Sequence, residues 1–373
     1  MMKIVYLIAG TYNSGGMERV LANKANWWVR HGHDVSVITS DQRGRPTCFP
    51  MDASIRHYDL GINYEETNGR SFLRKAVAFP LKQWRHKRRL SQLLQRLKAD
   101  VTVCMFNNDV SFAYKIQDGS LKVLEAHFSK HKKLQYARQG LWALADRWRT
   151  RQEERIVRKY DRFVVLTHED KMLWGNLPNI WVIPNAHTFD PKGQAELRQK
   201  RVLAVGRYDH QKGFDTLINI WRKIGPEREG WTLDIYGNGP LRSALQQQVE
   251  RLGLTESVRL LMPTDKIEDV YLSSAVLVMT SLYEGLPMVL LEAQACGLPI
   301  VAFACQCGPR DVIHDGTDGF LIEGRNETLF AQRLEELMQD FTLRQRMGAD
   351  AFKASERYSE EQVMQEWEKI FNR

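Results

Sequence analysis

The 373 residues include only five cysteines: Cys48, Cys104, Cys296, Cys305 and Cys307. That number is odd, and Cys305-Gln306-Cys307 lacks the C-x-x-C spacing of a zinc-ligand pair. Such usage excludes a disulfide framework and fits reduced thiols in a reducing compartment. No stretch approaches the ~18 apolar residues of a membrane-spanning helix. There is no short-period repeat and no low-complexity tract. Neither a G-x-G-x-x-G nor a Walker A motif occurs, so an ATPase reading has no support. The first apolar run, residues 4–9, is too short for the core of a signal peptide. A buried strand explains it, and the chain is expected to be cytoplasmic with at most peripheral membrane contact.

What is present is ordinary in bulk and uneven in detail. A 43% hydrophobic and 26% charged composition belongs to a folded globular protein, not to a disordered, collagen-like or polytopic membrane chain. At ~150 residues per domain, the length implies two or three domains. The net charge of +8 is divided sharply. Residues 1–185 hold 31 basic and 17 acidic side chains, while residues 186–373 hold 22 and 28. A basic half joined to an acidic half implies two domains with different partners. The positive half suits nucleic acid, anionic lipid or a phosphate-bearing substrate.

Short apolar runs alternate with amphipathic stretches. Residues 4–9, 34–39, 55–60, 101–105, 123–126 and 163–167 read as buried strands. The pattern breaks around Pro184-Asn185 and over 189–199. It then restarts with strands at 202–205, 231–236, 258–261, 276–280, 299–302 and 319–322. This rhythm is that of parallel sheets covered on both faces. The expected fold class is α/β, with two doubly wound domains in tandem. The expected boundaries are 1–185, 186–358, and a terminal amphipathic helix in 359–373 that packs back on the first domain.

In open α/β sheets, ligands sit at the carboxyl ends of the strands. Three loops there carry candidate chemistry. The first, Gly10-Thr11-Tyr12-Asn13-Ser14-Gly15-Gly16, opens a helix, and its two glycines let backbone approach an anion closely. A tight turn without a ligand is the alternative. The second runs from Gly206 to Gly213 and carries Arg207 and Lys212. Two cations in a strand-to-helix turn suit a diphosphate clamp, or are simply solvated. The third joins a strand to a helix through Glu284-Gly285-Leu286-Pro287. Pro287 suits the first turn of that helix. Glu292 then interrupts an apolar helix and needs a partner there, either paired ribose hydroxyls or a structural salt bridge.

Glu284 and Glu292, with seven residues between them, resemble the E-x7-E motif of retaining GT-B glycosyltransferases of glycosyltransferase family 4. The surrounding Gly206-Arg207, Lys212-Gly213, Tyr236-Gly237-Asn238-Gly239-Pro240-Leu241, Gly297-Leu298-Pro299, Gly316 and Gly319 agree. In the first half the likeness rests on Gly15-Gly16 and His127. The linker departs from it, with Ala186 where the family more often has Gly or Val. The resemblance implies two Rossmann-like domains facing a cleft, with a nucleotide-sugar donor, taken as UDP-linked, on the second. It assigns His127 to the donor sugar or transition state and Glu284 to donor-sugar hydroxyls. Glu292 is assigned to the ribose, and Arg207 and Lys212 to the leaving diphosphate. Gly15, Gly16, Gly239, Gly285, Leu286, Met288 and Val289 line the donor, and Met262 and Thr264 meet the base through their backbone. It implies same-face attack, with the departing phosphate taking the acceptor's proton. No Asp-x-Asp occurs in the chain, so no metal is expected and no cofactor beyond the donor itself. Glu125 and Asp109 are secondary candidates for acceptor contacts.

Residues 70–98 hold ten Lys or Arg and no Asp or Glu, interleaved with Leu, Phe and Trp84. Pro80 is expected to break this stretch in two. Residues 130–162 hold eleven basic and four acidic side chains, with Trp142 and Trp148. Basic amphipathic helices with aromatics suit an anionic membrane surface. They also suit a lipid-linked glycan diphosphate, or are solvated faces of domain helices. The expected partners are therefore a nucleotide sugar, a glycan or lipid-linked glycan in surface polysaccharide synthesis, and the inner face of the cytoplasmic membrane. Two other readings stand beside this one. A nucleic-acid-binding protein fits the pI of 9.2, but no such motif appears. A GT-B enzyme of another kind, such as one with a small-molecule acceptor, an epimerase or a phosphorylase, fits the fold.

Overall fold

A computed structural model describes residues 1–67, 72–131, 150–225 and 228–372; for 67 and 72–77 it describes the backbone alone. The chain forms two compact units, Met1–Ile183 with Met364–Arg373, and Pro184–Val363. Residues 183–200 carry neither helix nor strand.

The first unit contains β1 (Lys3–Ile8), β2 (Asp34–Thr39), β3 (Arg56–Asp59), β4 (Val101–Cys104), β5 (Leu121–Glu125), β6 (Arg162–Val165) and β7 (Ile180–Val182). They lie in the order β3-β2-β1-β4-β5-β6-β7, all parallel. Val5, Leu7, Leu124 and Phe163 are buried in one core. Sheets covered on both faces read as continuous apolar runs, which is why the strand positions were legible. The strand at 180–182 was not expected: its apolar run, residues 180–183, is short and stops at Pro184, where the pattern breaks.

The second unit repeats the winding with β8 (Arg201–Val205), β9 (Thr232–Tyr236), β10 (Val258–Leu261), β11 (Val276–Met279), β12 (Ile300–Phe303) and β13 (Gly319–Ile322). The order is β10-β9-β8-β11-β12-β13, again all parallel. Val202, Ala204, Trp221, Val276 and Phe330 share its core. Each sheet reverses its strand order at one place, between β1 and β4 and between β8 and β11. Loops leaving neighbouring strands diverge there, which is where open sheets of this kind bind ligands.

Helix α1 (Gly16–Arg30) follows β1, and α2 (Phe72–Leu97) follows β3. Helix α2 runs through Pro80 without a break, contrary to the sequence expectation. Proline removes one hydrogen bond from a helix interior. Leu90 and Leu94, both fully buried, fix the later turns of α2 against the sheet regardless. Residues 132–149 of the second basic stretch, including Trp142 and Trp148, lie outside the described residues.

After β6 come α3 (His168–Trp174), then α4 (Phe214–Lys223), α5 (Arg242–Arg251), α6 (Ile267–Leu272), α7 (Met288–Ala295), α8 (Pro309–Val312), α9 (Glu327–Gln339) and α10 (Phe341–Ser355). The last helix, α11 (Glu360–Phe371), ends in the first unit. There Phe371 stacks on Trp28 at 5.2 Å between ring centroids. Among the described residues, no helix is long and apolar enough to cross a membrane.

Candidate donor site at the second sheet

Strands β8 and β11 are neighbours, and close to the sheet the loops that leave them touch before they diverge. The loop after β8 ends in a short turn, His210–Lys212, and Gly213 at φ 62°. A side chain at Gly213 would collide with the Thr280 carbonyl at 2.5 Å. Only glycine satisfies both the left-handed backbone and the contact. The Thr280 hydroxyl ties the same turn down by donating to the Lys212 and Gly213 carbonyls.

This close approach brings Lys212 to Glu284. Lys212 Nζ donates to Glu284 Oε1 at 2.7 Å, and Gln211 Nε2 lies 3.4 Å from Oε2. Glu284 is buried, and its backbone N–H donates to the Gln306 carbonyl. Burial opposes the charge on Lys212, but Glu284 holds its pKa above the ordinary lysine value. Arg207 stands apart, exposed, 3.7 Å from Asp209. The two cations do not form a clamp by themselves; one is held by Glu284 and the other is exposed beside Asp209.

Helix α7 begins at the next step. Pro287 is its N-cap, one position before the first turn where the sequence suggested it. Met288 and Val289 occupy that turn and have no carbonyl four residues back within the helix to receive their N–H groups, while the Leu290 N–H donates to the Pro287 carbonyl. Leu286 is buried, and Asn185 Nδ2 reaches Met288 Sδ at 3.6 Å. Gly308 packs onto this turn, where a Cβ would lie 2.4 Å from Pro287 Cδ and 3.1 Å from the Gly285 carbonyl. The segment holding Cys305, Gln306 and Cys307 thus supports Glu284 and Gly285, a role that cysteine spacing did not suggest. No disulfide joins any of the five cysteines. Ser281 Oγ is buried here without a partner.

Glu292 lies one side of α7, half-buried. Its Oε1 accepts from the Thr188 hydroxyl at 2.6 Å, and its Oε2 from the Tyr271 hydroxyl at 2.7 Å. The partner it needs is therefore two neutral hydroxyls, not a salt bridge. Neither Thr188 nor Tyr271 was apparent from the sequence.

On the other side, Tyr208 locks the loop after β8 to its neighbours. Its hydroxyl donates to the Ile235 and Leu261 carbonyls at 2.7 and 2.8 Å. Gly237 and Gly239 exist for this packing: a Cβ would sit 1.9 Å from the Gly206 carbonyl oxygen or 2.5 Å from that of Tyr208. Met262 is exposed, with Arg242 Nη1 at 3.2 Å from its sulfur, and Thr264 Oγ1 accepts from the Lys266 amide. Among the described residues, no group of three His, Cys, Asp or Glu could hold a metal ion.

In the first unit, Gly15 is the N-cap of α1 and Gly16 its first residue. His127 follows β5, with Nε2 3.2 Å from Glu125 Oε1. Both Glu125 oxygens accept from Lys24 Nζ at 2.7 Å. Burial alone would raise the Glu125 carboxyl, but Lys24 and His127 hold it down to about 2. Asp109 has no cation, and burial pushes its carboxyl up to about 6 while it accepts from the Cys104 thiol. Glu125 and Asp109, the secondary candidates for acceptor contacts, are both buried in the first unit.

Two family models match the chain: Glycosyltransferase Family 4 over residues 14–188, and Glycosyl transferases group 1 over residues 186–354. The amylovoran biosynthesis glycosyltransferase AmsD of Erwinia amylovora is 29% identical, with all of both chains covered. An uncharacterized glycosyltransferase of Haemophilus influenzae is 30% identical, over 99% of this chain and 100% of the other. The Campylobacter jejuni enzyme that adds α-1,4-N-acetyl-D-galactosamine to a diNAcBac-PP-undecaprenol-linked glycan is 26% identical, over 99% and 98%. Among solved structures, sucrose-phosphate synthase of Thermosynechococcus elongatus superposes with a TM-score of 0.81 at 17% identity, over 100% and 98% of the chains. TarM of S. aureus, solved with UDP and alpha-GlcNAc-glycerol, gives 0.77 at 18% identity over all of both chains.

Proposed function

The chain belongs to the family 4 glycosyltransferases and has their GT-B fold, and from that membership we propose that it moves a sugar from a UDP-linked donor to a glycan carried on a lipid diphosphate, retaining the anomeric configuration. The observation that carries this reading is the meeting of Lys212, Glu284 and the start of α7 where the second sheet reverses its order. A leaving diphosphate needs positive charge and free amides as its bond to the sugar breaks. Lys212, the exposed Arg207 and the first amides of α7 supply both. Glu284, held by Lys212 and Gln211, accepts from donor-sugar hydroxyls. His127 is assigned to the transferred sugar as a contact, not as a general base. The leaving phosphate takes the acceptor's proton. No divalent metal is required in this scheme.

The acceptor class and pathway draw support from the relatives that act in amylovoran biosynthesis and on an undecaprenol-linked glycan. They draw further support from the outer face of α2. Phe79, Leu81 and Trp84 are each more than half exposed beside exposed Arg85, Lys87 and Arg88. That combination suits reversible docking on an anionic bilayer, which puts the enzyme at the inner face of the cytoplasmic membrane.

The test is a donor screen against a lipid-diphosphate glycan mixture, with products read by mass spectrometry and the anomer by NMR. A product with inverted configuration, or transfer only to free small molecules, overturns the proposal. The same assay run in excess chelator should keep its rate; loss reversed only by magnesium or manganese overturns the metal-free scheme.

A further inference from the structure

Glu292 is a half-buried carboxylate whose recorded partners among the described residues are two neutral hydroxyls and no cation. The two hydroxyls are divided evenly. Thr188 donates to Oε1 and Tyr271 to Oε2. An ionised carboxylate has about four acceptor directions, two on each oxygen. One direction on each oxygen is therefore taken, and one on each is open. The carboxylate plane is also held at both ends. Tyr271 is fully buried on α6, in a different element from Thr188, which lies in the segment after β7.

An unpaired carboxylate with one open direction per oxygen suits a ligand with two adjacent hydroxyl donors. It repels a phosphate, and it leaves half its capacity unused by a single hydroxyl. We infer that Tyr271 and Thr188 are positioning residues that set Glu292 to accept a vicinal diol, one hydroxyl per oxygen, and so make the site selective for ribonucleotides over both 2′-deoxy and 3′-deoxy nucleotides. This rests on the assignment of Glu292 to the donor's ribose. Tyr271 touches no ligand in this scheme. Its hydroxyl prevents the carboxylate from rotating to meet only one donor.

The test uses the full chain and calorimetric titration with UDP, GDP and ADP and their 2′-deoxy and 3′-deoxy forms. The inference concerns the ribose common to all three, so it is read on whichever base binds. Wild type should favour the ribo form about tenfold or more over either deoxy form, the scale of a hydrogen bond to a charged group. Tyr271→Phe should cut that preference to about threefold or less by weakening the ribo form alone. Thr188→Val should act likewise, and Thr188→Ser should restore the wild-type preference. Thermal melts accompany each variant. An equal loss on ribo and deoxy forms means that Tyr271 only supports the fold, and overturns the inference. An undiminished preference in Tyr271→Phe overturns it as well. Glu292→Gln separates the two levels: if it abolishes the preference while Tyr271→Phe keeps it, the ribose assignment stands and the positioning role fails. If Glu292→Gln leaves the preference whole, the ribose assignment itself fails, and the inference falls with it.

Discussion

Each unit carries a lysine–glutamate pair at 2.7 Å, and the two pairs are built differently. Lys24 and Glu125 are 7% and 1% exposed, and the Lys24 ammonium lies 3.7 Å from the centre of the Trp367 ring. That ring comes from α11, at the far end of the sequence. The pair is sealed between a helix, a strand end and the returning terminus. Lys212 and Glu284 are 18% and 8% exposed and belong to two strand-end loops at the reversal of the second sheet. The first pair is enclosed by protein. The second stands beside helix amides and an exposed arginine. A buried pair costs desolvation on both members and is recovered only by fixed geometry, so the first behaves as a structural lock. The second can exchange partners when a ligand supplies new ones.

Four experiments sharpen or break this contrast. Glu284→Gln should lower the transfer rate about a hundredfold or more while the melting temperature stays near wild type. A steady-state assay beside a thermal melt reads both, and a large melting shift with normal turnover would reverse the roles given to the two pairs. Lys24→Met should destabilise the first unit by about 3–5 kcal/mol, because Glu125 is left buried and unpaired. The double change Lys24→Met with Glu125→Gln should recover most of that loss in urea unfolding.

Asp109 is the third case, a buried carboxyl without a cation. Its folded pKa of about 6 lies above its ordinary 3.8, so the folded state holds the proton more tightly. Stability from this group is complete below about pH 4 and is lost as pH rises to about 6. Asp109→Asn should therefore stabilise the protein near pH 7 by up to about 3 kcal/mol and change little at pH 3.5. Glu125 has the opposite sign. Its depressed pKa adds stability above the ordinary glutamate value of 4.5, and that stability is lost as pH falls towards 2. The smallest effect belongs to the surface. Lys87→Gln should reduce binding to anionic vesicles at low salt by about 1 kcal/mol, with transfer to a water-soluble acceptor unchanged. Arg89 is unsuited to this test, because its guanidinium donates to the Leu60 and Gly61 carbonyls.

Much of the fold was legible because both sheets are parallel and covered on both faces. Twelve of the thirteen strands fall in segments expected from the sequence, the largely exposed β3 among them, and β7 was missed because its apolar run is short and abuts Pro184. Proline at position 80 misled, since local preference predicts a break while the buried later turns of α2 hold one helix. Glu284, Glu292, Lys212 and the glycines of their loops were legible because a strand end, a helix start and an unusual residue coincide there. Their partners were not. Lys24 and Glu125 are 101 residues apart, and Thr188 and Glu292 are 104 apart.

The sequence by itself determined two wound domains, their basic and acidic halves, and which loops carry chemistry. Local periodicity and composition are properties of neighbouring residues, and these features need nothing more. Only the tertiary structure decided which charge each loop residue meets. The reversal between β8 and β11 brings Lys212 to Glu284 and leaves Arg207 exposed. The packing of α6 and the segment after β7 gives Glu292 two hydroxyls instead of a cation. The return of α11 to the first unit places Trp367 on Lys24. Pairing energies depend on distances of a few ångströms between residues far apart in the chain, and those distances are set when the sheets close and their helices pack.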